Sequence, residues 1–344
     1  MIKVLVPNAP SADQILPYLR EIDANRWYSN GGPLVRRLEA RMGGVAVSSA
    51  TLGLELASRC VFERGKVRIP AFTFVATATA LLRAGLEPVL CDVDDEWCLK
   101  DIDERSLPVA PFGAFVREAP LVDAAAAWGN GIRGNRVYSL HATKALGAGE
   151  GGMVCGDPEL LERVQKLANF GLGYNRMISE SGTNAKMSEY NAAVGLASLD
   201  MWAQTSQKRR DLAALYHDRL GTEIQTLPIE IQPRGYGTYS HFPILVRDAE
   251  QVSKDMASRG IETRRWYTPT LDLHPAFMHL EREDLRNCKR LNETLLCLPF
   301  HLHLSVSDVD QVCEVLEWAL RKNRIFSTVT TRTAKVSTAS QLRI

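Results

Sequence analysis

A lysine stands where a primary amine could meet an aldehyde in a confined pocket. Lys144 ends the run Ser139-Leu140-His141-Ala142-Thr143-Lys144, just past the apolar stretch Val137-Tyr138-Ser139 and before the glycine-rich return Gly149-Glu150-Gly151-Gly152. If that amine forms a Schiff base with pyridoxal phosphate, the cofactor makes four demands. The amine must lose a proton, and partial burial moves a lysine pKa in that direction. An anion must face the pyridine nitrogen, and Asp123 closes the apolar run Pro120-Leu121-Val122 at a strand C-terminus, where α/β sheets hold ligands. The phosphate needs a cup, which the hydroxyl-rich start of an apolar helix, Ser48-Ser49-Ala50-Thr51, supplies through free N–H groups and the helix dipole. Ser139 adds a hydroxyl from the lysine's own strand. The ring needs a flat partner, and Phe72 or Phe74 offers one. Taken singly, each has an ordinary reading: a strand-end cap, helix N-caps, core phenylalanines. Their conjunction in one chain order is what points to a site.

Those residues require a parallel sheet with loops at one edge. From about Val67 to Cys155, helical stretches alternate with short apolar runs, which predicts an α/β domain with a largely parallel sheet. Ala71 to Ala84 reads as a helix. Pro88–Asp92, Val109–Pro111, Pro120–Asp123, Arg136–Ser139 and Gly152–Cys155 read as strands, and Pro158 to Asn169 as a helix with proline in its first turn. One long helix is expected from Ser188, its N-cap, to Leu220. Beyond it come a strand (His241–Val246), a helix closed by Gly260 (Ala249–Arg259) and a strand (Glu262–Tyr267). A helix (Arg282–Glu293), a short strand (Leu296–Leu298) and a last helix (Val306–Arg321) complete the pattern. The expected organisation is a large domain over 1–205, a small α+β domain over 206–324 and a disordered, Ser/Thr-rich tail over 325–344.

With these residues laid out, the chain resembles the DegT/StrS-type sugar aminotransferases, fold-type-I pyridoxal-phosphate enzymes. The resemblance rests on Asn30–Glu39, Ser48–Thr51, Ile69–Thr77, Pro88–Asp94, Val122–Ala125, Ser139–Lys144 with Gly149–Val154, Met187–Gly195 and Cys297–Phe300. It implies that Lys144 carries the cofactor and shuttles the proton, that Asp123 pairs with the pyridine nitrogen, and that Ala50, Thr51 and Ser139 hold the phosphate. It further implies that Phe74 stacks on the ring and that Asn184 reaches the neighbouring subunit's cofactor, making a homodimer with shared sites. The expected reaction takes an amino group from glutamate or glutamine to a keto sugar on a nucleotide, in a cell-surface polysaccharide or similar glycan pathway. Three features depart from the family pattern. Ala126 replaces the usual Gln or His, Lys186 replaces the usual Arg and loses its planar fork, and only about nine residues (Phe112 to Pro120) join two strands that should be parallel, short for a crossover.

The remaining features exclude more than they assign. The net charge of +1 argues against a nucleic-acid or acidic-membrane partner. Seven scattered cysteines without a CxxC pair read as reduced thiols, and the short apolar N-terminus does not read as a signal peptide, so the expected compartment is the cytoplasm. His301 and His303 lack a third ligand nearby, and no metal site is expected. Lys208-Arg209-Arg210 reads as a solvated helix face, Arg264-Arg265-Trp266-Tyr267 as a covered strand or a diphosphate grip, and Trp27-Tyr28 as an anchor or a substrate mouth. Two rival readings differ in kind. One keeps the cofactor but changes the reaction to dehydration, whose family branch replaces the lysine with histidine. The other is a scaffold that has lost turnover and serves as a regulatory or assembly partner.

Overall fold

The computed structural model describes residues 1–173, 177–220 and 238–339, with side chains to residue 323. Ser11 and Gln14 close a reciprocal capping box that starts α1 (Ala12–Asn25), and Pro33 opens α2 (Pro33–Met42). β1 (Gly44–Val47) leads into α3 (Ala50–Val61), whose N-cap Ser49 accepts from Leu52 N. Then follow β2 (Lys66–Pro70), α4 (Val75–Arg83), β3 (Glu87–Cys91), β4 (Val122–Asp123), β5 (Arg136–Ser139) and β6 (Gly152–Cys155).

The pairings join into one sheet. β2 and β3 are parallel, β4 and β5 are parallel, and β6 runs antiparallel to both β5 and β1. The extended segment 106–110 splices the two halves, with parallel bridges Arg68 to Ser106 on one side and Val109 to Asp123 on the other. The order is therefore β1, β6, β5, β4, the 106–110 segment, β2 and β3, with β6 alone reversed. It is a mixed, mainly parallel sheet flanked by helices, the fold class expected from the sequence. At the outer edge β3 is extended by a short parallel strand, β8 (Glu281–Arg282).

Helices α3, α4 and α5 (Pro158–Ala168) pack on this sheet, α6 (Glu189–Asp200) packs on α1 and α2, and the shared apolar cluster includes Leu38, Val47, Leu54, Ile69, Leu90 and Val154. A second cluster gathers α7 (Trp202–Leu220), β7 (Phe242–Leu245), α8 (Ala249–Ser258), β9 (Leu295–Leu298) and α10 (Val306–Ala339) around Tyr216, Phe242, Met256, Leu298 and Leu316. Helix α9 (Arg286–Thr294) runs directly into β9, which pairs antiparallel with β7.

Several elements differ from the sequence expectation. The Ala71 helix begins only at Val75, because Ala71 N is drawn into a bond with Cys91 O. The long helix is two helices: at Met201 the N–H turns to Leu199 O instead of the residue four back, and α7 starts afresh. Val109–Pro111 makes one bridge and then a 3₁₀ turn (Pro111–Gly113), and Glu262–Tyr267 makes one bridge, Arg264 to Cys297. The helix expected from Arg282 starts at Arg286, after β8. The tail expected to be disordered from 325 continues α10 as far as Ala339; the stretch holds neither proline nor glycine to stop a helix. Residues 340–344 lie outside the described residues. The short connection is as the sequence implies: Val109 and Asp123 are parallel neighbours joined by the 3₁₀ turn and a loop, with no α-helix between them.

Candidate active site

Asp123 ends β4 with its side chain buried in the middle of the sheet. Its Oδ2 accepts from Thr77 Oγ1 at 2.7 Å and its Oδ1 from Ala125 N at 3.1 Å. Thr77 is itself braced by Thr73, 2.9 Å away. Burial raises the Asp123 carboxyl above its usual range, while the Thr77 hydroxyl, the Ala125 amide and the charge of Lys144 pull it back. Lys144 shows the complementary perturbation: burial lowers its pKa and the neighbouring Asp123 opposes that. Among the described residues no hydrogen bond or ion pair engages its Nζ. A desolvated, unengaged amine beside a buried carboxylate is the pairing that an aldehyde-bearing pyridine requires.

The lysine loop is closed on itself. Leu140 N bonds Gly151 O, Ala142 N bonds Gly149 O, and Lys144 N bonds His141 O at 2.9 Å, so the amine leaves a fixed turn. His141 is occupied locally: Nδ1 lies 2.8 Å from Thr143 Oγ1 and Nε2 3.6 Å from Glu150.

Ser139, buried at the end of β5, accepts from His141 N at 3.3 Å through its Oγ. Opposite it in register is Gly152 on β6. A Cβ there would lie 2.6 Å from Ala50 N and 2.7 Å from Ala50 Cα, so the start of α3 rests directly on β6. Ala50 and Thr51 occupy the first turn of α3, where backbone N–H groups have no helical acceptor. An anion fits there: two amides, a helix start and the Ser139 strand end converge at a contact only glycine permits. Phe74 caps α4 and is 57% exposed, two residues from buried Phe72, which belongs to the core. Of the two aromatics, only Phe74 offers an open face.

Asn184 is exposed and bridges Asn169 beside the end of β1, on the outer side of the subunit. Lys186, two residues on, donates to Asn169 Oδ1 at 3.0 Å and lies over Phe170. The Asn30-Gly31-Gly32-Pro33 turn is built on Glu189, whose buried carboxylate accepts from Leu34 N and Val35 N, both at 2.8 Å. A Cβ on Gly32 would meet that carboxylate at 2.5 Å. Trp27 and Tyr28, next to the turn, are exposed.

A family model for the DegT/DnrJ/EryC1/StrS aminotransferases matches residues 11–106 and 120–317. The chain belongs to this family. The break in the match falls on the shortened connection. Among curated relatives, the dTDP-4-amino-4,6-dideoxy-D-glucose transaminase of Shigella dysenteriae is 31% identical over 354 residues, covering 90% of this chain and 96% of the relative. The Escherichia coli transaminase of the same name is 28% identical, covering 92% and 98%. Among solved structures, DesI in the presence of its TDP-sugar product superposes with a TM-score of 0.85 at 27% identity, covering 96% of each chain. The chain is thus an aminotransferase with the fold of pyridoxal-phosphate enzymes of this family.

Several residues around the aminotransferase site escaped the sequence reading. Thr77 carried a signal, since Thr73 and Thr77 are one helical turn apart beside Phe74. His241 carried none, and Tyr267 was singled out only as the end of the Arg264–Tyr267 run, because both come from the far half of the chain. Burial, the Asp123 charge and Cys297 all raise the Tyr267 hydroxyl pKa. Arg209, expected on a solvated face, is buried against Phe300 with Nη1 donating to Tyr239 O at 3.1 Å. The break at Met201 re-phases α7 and turns that residue inward. Arg264 pairs with Glu262 at 3.4 Å and Arg265 donates to Asn292 O. Among the described residues no helix is long and apolar enough to cross a membrane.

Proposed function

We propose that this chain moves an amino group from glutamate or glutamine to a keto sugar carried on a nucleotide, as a homodimer in the cytoplasm, in the making of a surface polysaccharide or similar glycan. The observation that carries this reading is the desolvated Lys144 amine beside the buried Asp123 carboxylate, in a chain of the sugar aminotransferase family. Residues 1–205 form the cofactor-binding unit in this reading and 206–324 the smaller unit packed on it. Pyridoxal phosphate would be held by Lys144, Asp123, the amides of Ala50 and Thr51, Ser139 and the face of Phe74, with Asn184 given to the partner subunit's site. When bound, it supplies an electron sink for the carbanion that forms when an amino acid loses its α-proton.

The chain's own residues do the rest. Lys144 Nζ, with its pKa lowered, is poised as a free base that takes the proton from the donor's α-carbon and returns it on the other side of the exchange. Asp123 keeps a negative charge against the ring nitrogen, and Thr77 and the Ala125 amide hold it there against the cost of burial. The α3 start fixes the phosphate end, so that the reacting carbon meets the amine at one place.

The test is chemical. Holoprotein reduced with borohydride and digested should give one modified peptide, containing Lys144, and Lys144→Ala should give none and lose the glutamate half-reaction. A reduced adduct on another lysine, or turnover by Lys144→Ala, would remove the assignment.

A further inference from the structure

One histidine of the second half reaches the site. His241 immediately precedes β7 and is clasped by two rings, Phe112 at 5.7 Å and Trp266 at 5.4 Å, each edge to face. Phe112 is stacked on Tyr267 at 5.4 Å and 22°. It takes a left-handed backbone (φ 56°), and its carbonyl accepts from Ser240 N at 3.1 Å. The turn that replaces the missing crossover helix therefore fixes both the ring and the backbone beside His241. Asn130 adds a second clasp, bonding Gly113 O through Nδ2 and Thr238 N through Oδ1.

The imidazole is oriented as well as packed. Nδ1 lies 3.0 Å from Ser240 Oγ, and Nε2 has no hydrogen-bond partner among the described residues. A Ser240 hydroxyl that donates to Nδ1 leaves Nε2–H as a donor. A buried cation couples to the ring: Arg209, fully buried, has no carboxylate partner among the described residues. Burial first, then Lys144 and Arg209, push the His241 pKa down to about 3, so the ring is neutral at physiological pH. A neutral donor near a buried guanidinium that lacks a counter-ion suits an anionic oxygen.

We propose that His241 is a substrate-binding residue whose Nε2–H receives a carboxylate of the amino donor, with Ser240 and the Pro111–Gly113 turn as its positioning groups. This rests on the aminotransferase reading above and adds the place where an amino acid is distinguished from a sugar.

The probe is glutarate, a dicarboxylate that cannot react, titrated into holoprotein by calorimetry in competition with glutamate. The wild type should bind it. His241→Phe, which keeps the ring packing and removes the donor, should weaken binding about tenfold, the scale of a lost hydrogen bond to a charged group. His241→Gln, which restores a donor, should stay within about twofold to threefold of wild type, and Ser240→Ala should fall between the two as the ring loses its tautomer. The borohydride adduct on Lys144 is measured in each variant as an independent readout. Its absence from the wild type defeats the cofactor assignment, whereas unchanged glutarate affinity in His241→Phe, or in Ser240→Ala if the former does not fold, overturns the role of His241. A wild type that ignores glutarate overturns it too.

Discussion

Replacing Gly152 by alanine tests the phosphate end of the site without touching a reacting group. The added methyl would sit 2.6 Å from Ala50 N, 2.7 Å from Ala50 Cα and 2.8 Å from Ser49 C, all backbone atoms that cannot rotate away. Ordinary carbon contacts begin near 3.5 Å, so α3 and β6 must separate by about 0.8 Å. Overpacking on that scale costs about 1–3 kcal/mol. Because the moving atoms are the first turn of α3, the loss should appear in cofactor affinity as well as in stability. The expected rise in the pyridoxal phosphate Kd is about tenfold or more, with a thermal midpoint lowered by a few degrees. Cofactor fluorescence and scanning calorimetry give the two numbers. Gly131→Asn is the control: its φ of 70° suits asparagine and nothing lies within 4 Å of the added carbon, so both values should stay near wild type. If Gly152→Ala binds the cofactor like wild type, the phosphate does not sit at the start of α3.

Other perturbations reach different parts of the argument. Thr77→Val removes the 2.7 Å bond to Asp123, so the carboxyl pKa should rise further and the absorbance of bound cofactor should titrate at higher pH; an unchanged titration would mean that Asp123 does not face the ring. Glu189→Gln turns one of two carboxylate oxygens, each facing an amide, into an NH₂ group, and denaturant melts should show a loss of about 2–3 kcal/mol. His241 gives a pH signature. Its folded pKa near 3 lies below the usual histidine value, so the unfolded chain binds the extra proton between about 6.5 and 3. Stability should therefore drop as pH falls through that window, and His241→Phe should drop less. Equal slopes would mean that the imidazole is not buried neutral.

The legible part of this protein was local. Ser49 and Ser188 announced their helices, Asp123 and Lys144 lay at ends of apolar runs that became β4 and the loop after β5, and the nine-residue connection foretold the missing helix. What stayed hidden depends on pairing across the chain. Arg209 looked solvated because one residue of re-phasing at Met201 decides which face of α7 turns inward. His241 and Tyr267 lie about a hundred residues or more beyond Lys144 and come to it only when β7 and β9 fold back on the sheet. No spacing in the sequence records that return.

The splice in the sheet has a dynamic corollary. The wall bearing Phe74 and Thr77 and the wall bearing Ala50, Ser139 and Lys144 share one apolar core, with α3 against α4, but within the sheet their backbones are stitched by a few amides, chiefly Leu107 to Arg68 O, Ala110 to Asp123 O and Asp123 to Pro108 O. Hydrogen exchange at these three stitches reports whether the two walls breathe apart, and a ligand spanning them would slow that exchange more than anywhere else in the sheet.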